Sequence, residues 1–175
     1  MIFIKNAYVT DPAGGREEKA DILLKDGKIV KIGQIKEEEL AAEPAPLRVI
    51  DAKGLVAAPG LVDVHSHFRD PGFTYKEDIE TGAKAAAKGG YTTVVLMANT
   101  KPCVDNEETL RYVIEKGKQT GIHVYTCATV TMGMQGKEIV PMEELAQKGA
   151  VGFTDDGVPI LSEEIVEEAM KRAAA

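Results

Sequence analysis

Apolar runs and polar turns alternate along this chain in two different rhythms. Up to about residue 54 the runs are short and the turns frequent. Ile2-Phe3-Ile4 and Tyr8-Val9 are strand candidates, and Asp11-Pro12-Ala13-Gly14-Gly15 is a turn. Residues 20–24 and 29–33 are strands joined through Asp26-Gly27, a dipeptide suited to a tight hairpin. Residues 36–46 are acidic and alanine-rich and end in prolines, which predicts an exposed loop with one helical turn. Residues 48–52 are a further strand. This part is predicted to be a small antiparallel, β-sandwich-like module with too little core to stand alone.

From residue 55 the rhythm becomes strand, helix, strand. Leu61, Val62 and Val64 predict a buried strand. Residues 76–88 carry Ile79, Gly82-Ala83 and Ala86-Ala87 at helical spacing, and Gly89-Gly90 stops them. The run 92–97 is continuously β-branched or apolar, as in a strand buried on both faces. Asn106-Glu107-Glu108 opens a helix carrying Leu110, Val113, Ile114 and Gly117. Residues 123–130 are predicted as a strand, 142–148 as a short helix and 150–154 as a fourth strand. Ser162-Glu163-Glu164 starts a last helix. Short links between such units imply parallel strands with right-handed crossovers. The reading is an α/β chain: a module at 1–54, then about four βα units at 55–175.

The polar residues choose between an open sheet and half of an eight-stranded barrel. His65 and His67 stand two apart at the end of the first of these strands, on one face of an extended chain. Arg69 shares that phase if the extension continues. Asn99 and the pair Asp155-Asp156 also fall just after strands, at the same end. Barrel enzymes place their chemistry there, and no glycine-rich phosphate loop follows the first strand. Two imidazoles can hold one metal ion of the zinc type. A carboxylate from 155–156 can join them, although an acidic turn closed by Gly157 is the simpler account of that pair taken alone. Arg69 can take an anionic group, and Asn99 can both donate and accept hydrogen bonds. His123 opens a strand at the opposite end and is read as structural or solvated.

Composition narrows the class further. A net charge of −7 disfavours a nucleic-acid partner but leaves room for a local anion site. Two cysteines in unlike contexts, Cys103 in a loop and Cys127 in a strand, suit a reducing cytoplasm rather than a disulfide scaffold. No signal peptide or membrane span is expected.

Taken together, residues 59–72, Glu77-Asp78-Ile79-Glu80-Thr81-Gly82, Asn99-Thr100-Lys101-Pro102 and Phe153-Thr154-Asp155-Asp156-Gly157 resemble the dihydroorotases of the longer bacterial class, in the cyclic amidohydrolase superfamily. The resemblance implies the N-terminal portion of a zinc-dependent (β/α)8 TIM barrel, with a β-sandwich made from both chain ends. It implies reversible closure of N-carbamoyl-L-aspartate to L-dihydroorotate in pyrimidine biosynthesis. By position, His65 and His67 match the paired zinc ligands and Asp156 the metal-bridging carboxylate. His67, Arg69 and Asn99 match groups placed against the substrate, the last two at its carboxylate. A homo-oligomer is implied, and association with aspartate transcarbamoylase is a further expectation. Ala98 departs from the family's usual proline. The family pattern also continues beyond residue 175, with two further histidine ligands and a catalytic aspartate. The expectation is therefore a partial chain, inactive by itself. A hydantoinase, dihydropyrimidinase or allantoinase relative is the first alternative, which Arg69 and Asn99 disfavour. A non-catalytic dihydroorotase-like subunit is the second.

Overall fold

A computed structural model describes residues 1–41 and 48–174. It divides into two compact units, Met1–Pro59 and Gly60–Ala175.

The first unit is one five-stranded sheet. Strand β1 (Ile2–Asp11) pairs antiparallel with β2 (Arg16–Lys25), which pairs antiparallel with β3 (Lys28–Gly33). Asp26 and Gly27 both have positive φ, 50° and 74°, as the tight hairpin requires. A five-residue helix α1 (Glu37–Ala41) follows, and the rest of the predicted 36–46 loop lies largely outside the described residues. The unit departs from an all-antiparallel module. Strands β4 (Arg48–Asp51) and β5 (Val56–Ala57) both pair with β1, and both run parallel to it. The two short candidates at 2–4 and 8–9 are one strand, interrupted between Ile4 and Ala7 where Asn6 takes a φ of 62°. Ala7, Val9, Ala20, Ile22 and Ala52 form its small core.

The second unit is a parallel sheet in the order β6-β7-β8, formed by Leu61–Ser66, Tyr91–Leu96 and His123–Thr126. Helix α2 (Ile79–Lys88) connects the first two strands and α3 (Glu107–Gly117) the next two. Local chemistry sets where these helices begin. The Asp78 side chain accepts from Thr81 N, and the Asn106 side chain accepts from Thr109 N. Ile79, Ala83, Leu110 and Val113 then meet Val94 and Leu96 of β7 in the core. Helix α4 (Met142–Gln147) adds Met142 and Leu145, and α5 (Glu163–Ala173) adds Ala169.

Three predictions change. The fourth strand is reduced to a single parallel bridge between Ala128 and Phe153, although Val151 N, Ala128 N and Thr154 N still make sheet-like backbone bonds. Strand β7 is buried mainly through Val94 and Leu96, which alternate with more exposed neighbours, so one face carries the core. Leu61, Val62 and Val64 are 53%, 58% and 69% exposed rather than buried. The cause lies in sheet order: β6 is the edge strand, and its only strand partner among the described residues is β7. Among the described residues no helix is long and apolar enough to cross a membrane.

Candidate metal centre

Because β6, β7 and β8 are parallel, the residues that follow them gather at one end of the sheet. His65 lies inside β6 and His67 one residue beyond it. Their rings meet edge to face, with centroids 5.2 Å apart. Asp156 reaches both: Oδ1 stands 3.3 Å from His65 Nε2, and Oδ2 stands 3.3 Å from His67 Nε2. One donor atom from each of the three residues falls within 4.8 Å of the others. Two imidazole nitrogens and a carboxylate are a donor set suited to a zinc-like divalent ion.

Asn99 completes this cluster. Its Oδ1 lies 3.1 Å from His67 Nδ1, and its Nδ2 donates to Asp156 Oδ2 at 2.9 Å and to the Asp156 carbonyl at 3.2 Å. An amide oxygen can only accept, so His67 Nδ1 is the donor in this contact and Nε2 is turned toward Asp156. A supporting hydrogen bond of this kind is how metal-binding histidines are commonly oriented. On the other side, Asp63 accepts from Ser66 Oγ and from His65 N, which holds its carboxyl below the usual range.

The adjacent pair Asp155-Asp156 separates into two roles. Asp155 is buried and accepts from Val130 N at 2.8 Å, from Thr131 N at 3.2 Å and from the Thr131 hydroxyl. It fastens the loop after β8, whose other anchor is Asp105, accepting from Gly133 N at 2.9 Å. Only Asp156 belongs to the histidine cluster.

Arg69 is placed differently from its predicted phase. The extended strand ends at Ser66, and Arg69 adopts a left-handed backbone with φ of 58°. It is half-buried, and no hydrogen bond or ion pair joins its side chain to His65, His67 or Asp156. His123 is at the far end of β8 and stacks on Tyr125, beside a cavity of about 730 Å³ that none of the clustered residues lines. Pattern alone misses Asp70. It is a buried carboxylate held by Tyr112 and Lys116, and the visible signal is the spacing of those two residues on one helix.

The parallel α/β sheet thus carries, at one end of its strands, a His-x-His-carboxylate cluster that could hold a metal ion. Comparison with known proteins makes this specific. Residues 54–175 match the family model described as "Dihydro-orotase-like". A dihydroorotase of Clostridioides difficile is 54% identical over 173 residues, and one of Streptococcus pneumoniae is 51% identical over 173 residues. In both cases the match covers 99% of this chain and 40% of the relative, so the chain spans less than half the length of the proteins it resembles. Among solved structures, L-hydantoinase from Arthrobacter aurescens superposes with a TM-score of 0.79 at 23% identity, covering 99% of this chain and 38% of that one. D-hydantoinase from Thermus sp. gives a TM-score of 0.60 at 30% identity over 75% of this chain and 28% of that one. The fold is therefore a mixed α/β fold resembling the N-terminal part of the amidohydrolase barrel enzymes. The chain belongs to the dihydro-orotase-like family.

Proposed function

We propose that this chain is the N-terminal portion of a dihydroorotase, and that its activity belongs to a chain of the relatives' full length. In this reading residues 55–175 are the first βα units of a (β/α)8 barrel, and residues 1–54 are part of a β-sandwich. The observation that carries it is the cluster of His65, His67 and Asp156 with Asn99 bonded to two of its members.

His65 and His67 would hold a zinc ion through Nε2, with Asp156 as the carboxylate between them. Bound there, zinc supplies Lewis acidity to an amide carbonyl and lowers the pKa of water toward neutrality. This chain's own residues contribute orientation and substrate binding. Asn99 orients the His67 ring through Nδ1 and restrains the Asp156 carboxylate. Arg69 can grip the substrate carboxylate in a two-point fork, with Asn99 and His67 beside it. In the hydrolytic direction water adds across the ring amide C–N bond of dihydroorotate and gives N-carbamoyl-L-aspartate. Closure is the reverse and releases that water. Cys103 and Cys127 are both free thiols, in keeping with a cytoplasmic enzyme. A homo-oligomer, and contact with aspartate transcarbamoylase, extend the same reading.

The test is zinc content together with turnover in the full-length protein. Bound zinc and reversible conversion of dihydroorotate are expected, and both should be lost in His65→Ala and His67→Ala. The structural likeness to hydantoinases supports a second reading, and preference for hydantoin over dihydroorotate would establish it instead.

A further inference from the structure

The segment 67–73 carries Arg69 between a proposed metal ligand and the start of α2. Three contacts fasten it. Phe68 is buried against α2 so closely that a Cβ added at Gly82 would come within 2.6 Å of its ring. The Pro71 carbonyl accepts from Lys101 N at 3.1 Å, which ties the segment to the loop bearing Asn99. Between these lies Asp70, whose side chain is 0% exposed. Its Oδ1 accepts from the Tyr112 hydroxyl at 2.9 Å, and its Oδ2 accepts from Lys116 Nζ at 2.7 Å. A longer contact, 3.5 Å, runs from Ile79 N to Oδ2.

Tyr112 and Lys116 are four residues apart on α3, with the ammonium 5.2 Å from the centre of the tyrosine ring. Burying a carboxylate is costly unless it is paired and hydrogen-bonded. Here the buried carboxylate sits next to an arginine in a backbone region that L-residues avoid. Such a conformation persists only where its surroundings impose it.

We propose that Asp70, clamped by Tyr112 and Lys116, is a positioning residue that holds Arg69 ready for an anionic carboxylate. It acts on carboxylate recognition and touches neither metal nor substrate. The proposal rests on the dihydroorotase reading for its substrate, but not for its mechanics.

The experiment uses the full-length, metal-loaded protein with Lys116→Met and the milder Tyr112→Phe; each removes a partner of the buried Asp70 carboxylate, so kinetics are read at a temperature where urea unfolding shows the variant folded. Each should raise KM for dihydroorotate about tenfold while kcat stays within about threefold, as expected when a binding group is misplaced. Metal content should not change. In an Arg69→Gln background, Lys116→Met should add nothing further. A fully additive penalty, or a parallel loss of kcat and metal, overturns the proposal. Amide exchange at Phe73, whose N–H donates to the Arg69 carbonyl at 2.9 Å, gives a readout that needs no turnover. Lys116→Met should speed exchange at Phe73 and Lys101 but not at the sheet amides of Met97 and Cys127. Unchanged exchange at Phe73 overturns the clamp. If the wild-type protein does not turn over dihydroorotate, the substrate reading fails alone and the exchange result still decides the clamp.

Discussion

His67 and Asn99 are joined by a 3.1 Å contact between the imidazole Nδ1 and the amide Oδ1, while the other end of the same amide holds Asp156. One side chain thus sets the direction of two of the proposed metal donors. Asn99→Ala should lower zinc affinity about 10- to 100-fold, the usual effect of losing such a supporting bond. Competition with a chelator of known affinity measures it. Asn99 would then be more than a substrate contact.

Asp155 and Asp156 are expected to fail in different ways. Asp156→Ala should abolish metal binding with little change in folding stability. Asp155→Ala should keep the metal donors but leave Val130 N, Thr131 N and the Thr131 hydroxyl without their acceptor. Stranding buried donors costs roughly 1–3 kcal/mol, so its midpoint in denaturant should fall. Metal titration and urea unfolding of the two variants separate the roles.

Gly72 has φ of 90°, and a Cβ there would stand 2.0 Å from the Lys101 carbonyl oxygen. Gly72→Ala should destabilise by about 3 kcal/mol or more, since backbone strain and a backbone clash combine. Gly82→Ala meets the Phe68 ring instead and should cost about 1–3 kcal/mol, as overpacking does. Thermal or denaturant unfolding ranks the two.

The Cys103 thiol is pushed up to about 11, first by burial and then by the neighbouring Asp105 carboxylate. Its alkylation by iodoacetamide should be slow at neutral pH and should rise toward pH 11. The sign for stability follows. The unfolded thiol ionises near 9.0 and the folded one near 11, so the folded state holds its proton more tightly. That contribution is complete below about pH 9 and is lost as pH rises through 11. A Cys103→Ser variant should lack this part of the alkaline decline in stability.

Signals confined to a few neighbouring residues were legible in the sequence. Asp26-Gly27 marks the hairpin, while Asn106 and Ser162 mark helix starts, because a cap or a turn is decided within four residues. His65 and His67 were legible for the same reason: both sit at the end of β6. What depends on distant partners was not. The parallel pairing of β4 and β5 with β1 leaves no local mark, and neither does the edge position that exposes Val62 and Val64. The choice between Asp155 and Asp156 could not be read from spacing. Adjacent carboxylates point apart, and only the loop at 130–136 shows which one is occupied elsewhere.

The backbone of Arg69 sets folding and binding at odds. In its left-handed backbone, glycine or asparagine folds more easily than arginine, by about 1 kcal/mol or more for glycine. A library scored for soluble expression should therefore enrich the substitution Arg69→Gly over the native residue, whereas, on the proposed dihydroorotase function, a library of the full-length protein scored for growth without supplied pyrimidine should reject it. The position would show opposite fitness orders under the two selections. Arginine stands there against the preference of its own backbone.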